Sequence, residues 1–351
     1  MTPEQIKEQI ESSVQELGFS HYGWTALTRP LSFSFYEDWI AQGLHGDMKY
    51  LADHAPLKEE PQRQWPRAQS ALVFAMNYYP HPQPGENFPL QQARVSLYAQ
   101  GMDYHVWFRQ RMQELCDKLK VLHPAEEFLC FTDSSPVLER DLAQRAGLGW
   151  VGKNTCLIHP KKGSLFFIGE IYTSLQIEEA FAPLPDFCGT CRKCIDICPT
   201  NALVEPRKLD ARKCISYLTI ESRTVPDPEL RPLIHDWLFG CDLCQTVCPW
   251  NQKVFNKTLN TELSLSLNLS QEEALIHDLR YLLQSSGKKL GRDFKGTALD
   301  RAGSFGLKRN ALVVIGNRRL QVLKEEVEKY VDHDKLGELA QWTLQELSKQ
   351  A

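Results

Sequence analysis

Eight of the 11 cysteines in this chain fall between positions 188 and 248. They read Cys188-x-x-Cys191-x-x-Cys194-x-x-x-Cys198-Pro199, then Cys214, then Cys241-x-x-Cys244-x-x-x-Cys248-Pro249. Three thiolates at i, i+3 and i+6 wrap one iron–sulfur cube, whereas a fourth followed by proline points away at a helix start and reaches the other cube. The spacing therefore predicts two 4Fe-4S clusters with crossed ligation. Cys188, Cys191, Cys194 and Cys248 are assigned to the first, and Cys198, Cys214, Cys241 and Cys244 to the second. The second half departs from the bacterial ferredoxin run, because distant Cys214 supplies its first ligand. A zinc ribbon needs only four ligands in two pairs and has no use for a third cysteine or for Cys-Pro. A disulfide framework needs an oxidising compartment, and no basic segment followed by an apolar one opens the chain. Cys116, Cys130 and Cys156 lie in apolar contexts and read as small buried hydrophobes.

A second chemical candidate is Asp133, in Phe131-Thr132-Asp133-Ser134-Ser135-Pro136-Val137-Leu138-Glu139-Arg140. Serine followed by proline predicts a helix start, with Ser135 as N-cap and Pro136 at its first position. Asp133 then falls just outside that helix, at the end of a strand. There it acts either as a proton donor in a less polar pocket or as part of the helix cap. A third candidate is charge. Nine basic residues, including Arg301, Lys308, Arg309, Arg318 and Arg319, face two acidic ones between Gly287 and Leu320, in a protein of net charge -4. Such a stretch is either a phosphate-contact surface or a solvated helix face.

Elements of several kinds must position these groups. Apolar residues at helical spacing predict helices over Pro3–Leu17 and Tyr104–Leu122. Strands are predicted over Ala71–Tyr79, Glu127–Thr132, Thr155–Ile158 and Ser164–Leu175, the last two joined by a turn at His159–Gly163. The expected fold is α+β, in three parts. Residues 1–180 form an α+β domain able to enclose a cofactor. Residues 181–255, opened by Ala182-Pro183-Leu184-Pro185, form a ferredoxin-type domain. Residues 256–351 form a helical, HEAT-like region, from Ala298–Asn317, Val322–Val331 and Lys335–Lys349. With 351 residues and 42% hydrophobic content, full cores are available. No apolar stretch reaches membrane-spanning length, so a cytoplasmic protein is expected.

In combination these residues resemble the epoxyqueuosine reductase family. The likeness rests on the eight cysteines and the Asp133 segment. It also rests on Gly149-Trp150-Val151-Gly152-Lys153-Asn154, Gly163-Ser164-Leu165-Phe166-Phe167-Ile168-Gly169-Glu170, Tyr98-Ala99-Gln100-Gly101-Met102-Asp103-Tyr104-His105 and Cys214-Ile215-Ser216-Tyr217-Leu218-Thr219-Ile220-Glu221. The resemblance implies an enzyme that reduces epoxyqueuosine to queuosine at the wobble position of tRNA anticodons, using cobalamin and two 4Fe-4S clusters. It implies that Asp133 donates a proton, and that Ser96, Asp133, Leu157, Ile168 and Ser216 lie near the cobalamin, with Asp242 and Leu243 beside the nearer cluster. The Asp-x-His-x-x-Gly signature of many cobalamin proteins is absent, since no glycine follows Asp103-Tyr104-His105 at the required place. The cofactor is thus expected to bind without a histidine under the metal, and His105 reads as a structural hydrogen-bonding residue.

A tRNA substrate gives the basic stretch a purpose. Lys308, Arg309, Arg318 and Arg319, with Arg223 near the substrate entrance, become candidates for contacts to the anticodon stem. An external low-potential electron donor is implied, and a monomer suffices, since one chain carries all the ligands. Two other readings remain: a corrinoid and iron–sulfur reductase of a small organic substrate, akin to reductive dehalogenases, or a non-enzymatic electron carrier or RNA-binding adaptor.

Overall fold

The computed structural model describes residues 1–78, 88–133, 135–178, 183–254 and 269–349. Ten strands occur among them: β1 His21–Ala26, β2 Ser70–Asn77, β3 Arg94–Val95, β4 Phe128–Phe131, β5 Trp150–Val151, β6 Leu157–Ile158, β7 Phe166–Thr173, β8 Leu203–Glu205, β9 Lys208–Leu209 and β10 Trp237–Phe239. The main sheet has the order β1-β2-β7-β4, with every pair antiparallel. Both of its faces are covered. Side chains alternate across a strand, so Phe74, Phe167, Ile171 and Cys130 fall into one core, while Val73, Ala75, Phe166 and Tyr172 fall into another.

On the first face lie the helices Pro3–Glu16 and Tyr104–Leu122. Ile6, Ile10 and Val14 of one, and Phe108, Met112, Leu115 and Leu119 of the other, recur every three or four residues and are buried against the sheet. Truncating fully buried Phe108 to alanine would cost about 3–5 kcal/mol. The opposite face receives Leu142, Ala143 and Ala146, from and just after the short helix Glu139–Arg145.

Several expectations shift. Tyr79, Ala182 and the expected boundary at residues 255 and 256 lie outside the described residues. The strand β6 pairs with β5 rather than with β7. The turn between β6 and β7 is nevertheless present, closed by reciprocal His159–Gly163 backbone hydrogen bonds of 2.8 and 3.0 Å. The helix expected to begin at Ser135-Pro136 begins at Glu139. Its intended first turn is held open because the Pro136 and Val137 carbonyls accept hydrogen bonds from Gln64 and Lys58.

The C-terminal helices include Leu269–Gln284, Gly287–Asp293, Gly303–Arg318 and Gly337–Ser348. Gly303–Arg318 is buried on all sides, with Ala311 to Ile315 in unbroken succession, which marks it as a central helix rather than an amphipathic one. Its core is continuous with that of the cysteine region. Ile215, Leu218, Leu238, Phe239 and Leu243 pack in one cluster with Leu279, Leu312 and Leu339. No helix among the described residues is long and apolar enough to cross a membrane.

Candidate active site and cluster-binding region

The spacing divides the eight cysteines into two groups, and thiols within each repel one another electrostatically. The Cys194 thiol is pushed up to about 11 by burial and by Cys248, Cys188 and Cys191. Cys248 is raised by burial and by Cys188 and Cys191. In the other group, burial with Cys214 and Cys198 raises Cys241, and burial with Cys241 and Cys214 raises Cys244. Cys244 is also raised by Cys156 and by Cys194, so thiol repulsion runs across the two expected quartets as well as within them. Among the described residues no three His, Cys, Asp or Glu side chains close to single-ion spacing.

The donor set fits iron–sulfur cubes: two sets of four thiols, with backbone N–H groups directed at the sulfurs. Ala202 N–H donates to Cys198 Sγ at 3.4 Å, and the amides of Tyr217 and Ser216 point at Cys214. Cys248-Pro249 opens the helix Pro249–Val254 as expected. Cys198-Pro199 instead leads into a turn with Asn201 at φ 50°, which directs the chain into β8. Cys116 and Cys130 are buried, and Cys156 is half-buried. Burial pushes the Cys156 thiol up to about 12, and Cys248 and Cys194 add to the shift, so this residue stands beside the clusters' ligands.

Two motifs that sequence reasoning left without a role bind the cluster region to the N-terminal sheet. Lys153 Nζ donates to the Cys191 carbonyl at 2.9 Å and also to that of Gly189. Asn154 donates to the Cys244 carbonyl at 3.2 Å. Buried Asn251 holds Ser164 from both ends of its amide, at 2.6 and 2.9 Å.

A parallel pairing of β3 with β10 brings together the segments that follow each strand. Ser96, after β3, donates its hydroxyl to Asp242, after β10, and Leu97 N–H donates to the same carboxylate at 2.8 Å. Gly240, at φ +70°, is required between them, because a Cβ there would meet Ser96 Cβ at 2.5 Å. Burial raises Asp242 above the usual carboxylate range, against the pull of these hydrogen bonds.

Asp133 follows β4 by two residues and sits at φ 40°, in the left-handed region that aspartate tolerates better than most residues. Its side chain remains 58% exposed. Oδ2 lies 3.1 Å from His105 Nε2, and His105 Nδ1 lies 2.7 Å from Asp103 Oδ1. With a carboxylate facing each ring nitrogen, imidazolium is the form that satisfies both. His105 is accordingly raised to about 9, through its hydrogen bond to Asp133 first. Burial opposes ionisation of Asp133, but hydrogen bonds from His105 and Tyr104 outweigh it and hold the carboxyl below its ordinary value. His105 thus belongs to the acid's immediate surroundings, a role that the local sequence did not disclose.

The remaining candidates divide by exposure. Ser96, Leu157, Asp242 and Leu243 are buried, whereas Ile168 and Ser216 are half-buried. Tyr98 feels the charges of both Asp133 and Asp242, so the acid and the cluster motif border the same region. Arg223 is exposed and donates to the Arg301 and Ala302 carbonyls at 3.2 and 3.4 Å. Arg301 forms a bidentate pair with Glu221 at 2.9 Å and acts electrostatically on Asp133.

Arg309 is corrected. It is fully buried, and its guanidinium donates to the carbonyls of Ser222, Thr224 and Leu218, so it cannot present itself to a phosphate. Lys308 is half-buried and donates to the Leu283 carbonyl and the Tyr330 hydroxyl. Arg318 lies 3.6 Å from Glu272, and Arg319 is exposed at a left-handed helix end. The exposed basic residues lie mainly on and after Gly287–Asp293: Lys288, Lys289, Arg292 and Lys295.

A fold of this layout with two thiol quartets defines an iron–sulfur oxidoreductase. Residues 187–251 match the family of 4Fe-4S double cluster binding domains, and residues 58–134 match Epoxyqueuosine reductase QueG, DUF1730. The epoxyqueuosine reductase of Pseudomonas aeruginosa is 37% identical over 90% of this chain and 86% of its own. That of Escherichia coli is 35% identical over 89% and 81%. Among solved structures, a selenomethionine-labelled epoxyqueuosine reductase matches with TM-score 0.81 and 27% identity, covering 99% of this chain and 91% of the other. Another, bound to an epoxyqueuosine-modified tRNA-Tyr stem loop, matches with TM-score 0.78 and 25% identity, covering 99% and 100%. The Bacillus subtilis enzyme, solved with its catalytic aspartate loop swung out of the active site, matches with TM-score 0.80 and 26% identity, covering 99% and 91%. The chain belongs to the epoxyqueuosine reductase family.

Proposed function

We propose that this protein reduces epoxyqueuosine to queuosine in the anticodon of tRNA, with Asp133 and His105 handling a proton at the epoxide oxygen. The observation that carries the site assignment is that Tyr98, two residues from the Ser96 that donates to Asp242, has its ring 6.4 Å from that of Tyr104, whose neighbour His105 lies 3.1 Å from Asp133. The acid and the segment between Cys241 and Cys244 therefore border one cleft. Converting an epoxide to an alkene consumes two electrons and two protons and releases water, beyond what side chains alone supply. The cysteine quartets would hold the two clusters, which would supply single-electron transfer from an external low-potential donor.

The cleft also fits cobalamin held by backbone groups and apolar walls. Leu157 is buried and Ile168 half-buried, Ser96 is committed to Asp242, and both nitrogens of His105 are committed to carboxylates. When bound, cobalamin supplies the low-potential reducing centre. The protein's residues do the rest: Asp242 fixes Ser96 and Leu97, Tyr104 and His105 orient Asp133, and the Asp133–His105 pair holds one proton at the cleft. Arg223, Arg319 and the exposed basic residues at 288–295 form the face offered to the tRNA backbone. The C-terminal helices form a HEAT-like support for that face, and the chain divides near residues 180 and 255.

The test is an anaerobic assay of protein carrying both clusters and cobalamin, with a low-potential reductant and epoxyqueuosine-containing tRNA, followed by nucleoside mass analysis. Conversion to queuosine is expected, and Asp133→Ala should abolish it while cluster absorbance persists. Absence of conversion by fully loaded wild-type protein would overturn the proposal.

A further inference from the structure

Behind Asp133 lies a feature that the assignment above leaves unused. Glu170 is fully buried in the central strand β7, yet neither carboxyl oxygen has a hydrogen-bond partner among the described residues. It stands opposite Phe131 in β4, two residues before Asp133. Alternation along β7 places it on the same face as Phe166, Ile168 and Tyr172, the face covered by the helix Glu139–Arg145. At the start of that helix, Glu139 Oε1 accepts the backbone N–H of Asp133. Glu139 thus holds the Asp133 backbone, and mutual repulsion marks the Glu170, Glu139 and Asp133 carboxyls as neighbours.

The surroundings decide their charge. Around Glu170 the ionisable neighbours are Glu139, Asp133 and Tyr172. An isolated buried carboxylate costs several kcal/mol or more, so Glu170 stays protonated. Glu139 faces Asp133, Glu170, Tyr104, Tyr172, Lys58 and Arg140. Its two cations are engaged elsewhere, Lys58 with the Val137 carbonyl and Arg140 with that of Thr155. Burial first, then Asp133, raises Glu139 to about 8.

The chemistry calls for such a store. Removing the epoxide oxygen as water needs two protons, and Asp133 itself is held ionised, with a single proton on the His105 side. We propose that Glu139, backed by Glu170, is the second proton source, passing its proton through Asp133 to the departing oxygen. One proton, from the His105–Asp133 pair, goes to the oxygen as the first C–O bond breaks. The other, from Glu139, goes to the same oxygen as the second C–O bond breaks and water leaves. The two electrons arrive from the external reductant, and Glu139 is reprotonated from solvent between turnovers. Neither glutamate touches the reacting atoms; both act through Asp133, so the inference rests on the reading of Asp133 given above.

The experiment uses the holoenzyme with both clusters and cobalamin, and compares wild type with Glu139→Gln, Glu139→Asp, Glu170→Gln and Asp133→Asn. Single-turnover formation of queuosine is followed against pH, alongside infrared difference spectra of the carboxyl carbonyl stretch. The wild-type rate is expected to fall as pH rises through about 8, where Glu139 loses its proton. Glu139→Gln should be slower by roughly a hundredfold and lack that limb, while Glu139→Asp should restore both in part. Glu170→Gln should remove a protonated-carboxyl band present at neutral pH. A Glu139→Gln enzyme with the wild-type rate and limb, or a Glu170→Gln spectrum with no band lost, would sink the proton store. If at the same time Asp133→Asn is inactive, the reading of Asp133 survives; if Asp133→Asn turns over normally, both fall.

Discussion

His105 faces a carboxylate oxygen with each ring nitrogen, Asp103 on one side and Asp133 on the other. Its pKa of about 9 in the folded protein lies above the ordinary 6.5. Stability from this arrangement is therefore fully present below about 6.5 and is lost as pH rises through about 9. Asp133 acts in the opposite window: its depressed value stabilises the fold above its ordinary 3.8, and that contribution is lost as pH falls through the lowered value. Following the His105 ring resonances by NMR should show a midpoint near 9 in the wild type, moved toward 6.5 in Asp133→Asn. A wild-type midpoint already at 6.5 would contradict the ion-pair description. The same titration locates the first proton of the reaction on the imidazole, which explains how a carboxyl with a lowered pKa can still serve the epoxide oxygen.

The helix Gly303–Arg318 and the strand β1 show where reading the sequence stops. The helices Pro3–Glu16 and Tyr104–Leu122 were legible to within a few residues because each buries a single periodic face, and β2, β4 and β7 were legible as short apolar runs. The double-cluster region was legible for a similar reason, since ligand spacing is fixed by the cube, and residues 187–251 match a 4Fe-4S double cluster family. By contrast, β1 is a short sheet-edge strand interrupted by Gly23, where a Cβ would meet the Ala146 carbonyl at 2.0 Å. That contact depends on a residue more than a hundred positions away. Arg309 was misread as a surface cation because its burial depends on the Cys214–Thr224 segment folding over it. Lone Glu170 inside an apolar strand run was a visible signal of a functional carboxyl, since an unpaired charge there conflicts with every neighbour. Arg309→Met should destabilise the protein by about 3–5 kcal/mol, because three buried carbonyls lose their donor. Urea denaturation measures this; a change below about 1 kcal/mol would show that the carbonyls find other partners. Cys214→Ala should remove about half of the iron, leaving the cluster held by Cys188, Cys191, Cys194 and Cys248, whereas loss of all iron would show that the quartets cannot assemble separately.

The protein as a whole carries a net charge of -4, so attraction of a polyanion must come from local charge rather than from its total. Of the basic residues between Gly287 and Leu320, Arg309 is spent inside the core and Lys308 on a carbonyl and a tyrosine hydroxyl. Lys288, Arg292 and Lys295 remain exposed, with Arg292 also 3.2 Å from Asp293. On the proposed reading this positive face grips the anticodon stem by its phosphates. Each phosphate contact removed should lower the slope of log affinity against log salt by about 0.7–0.9. Neutralising Lys288, Arg292 and Lys295 together should weaken tRNA binding and flatten that slope by up to about 2–3, with iron content and the His105 titration unchanged. The same measurement on Lys308→Gln should leave the slope where it was, since that ammonium is already committed within the protein. A triple variant with wild-type affinity and slope would move the tRNA face away from residues 288–295 and toward Arg223 and Arg319.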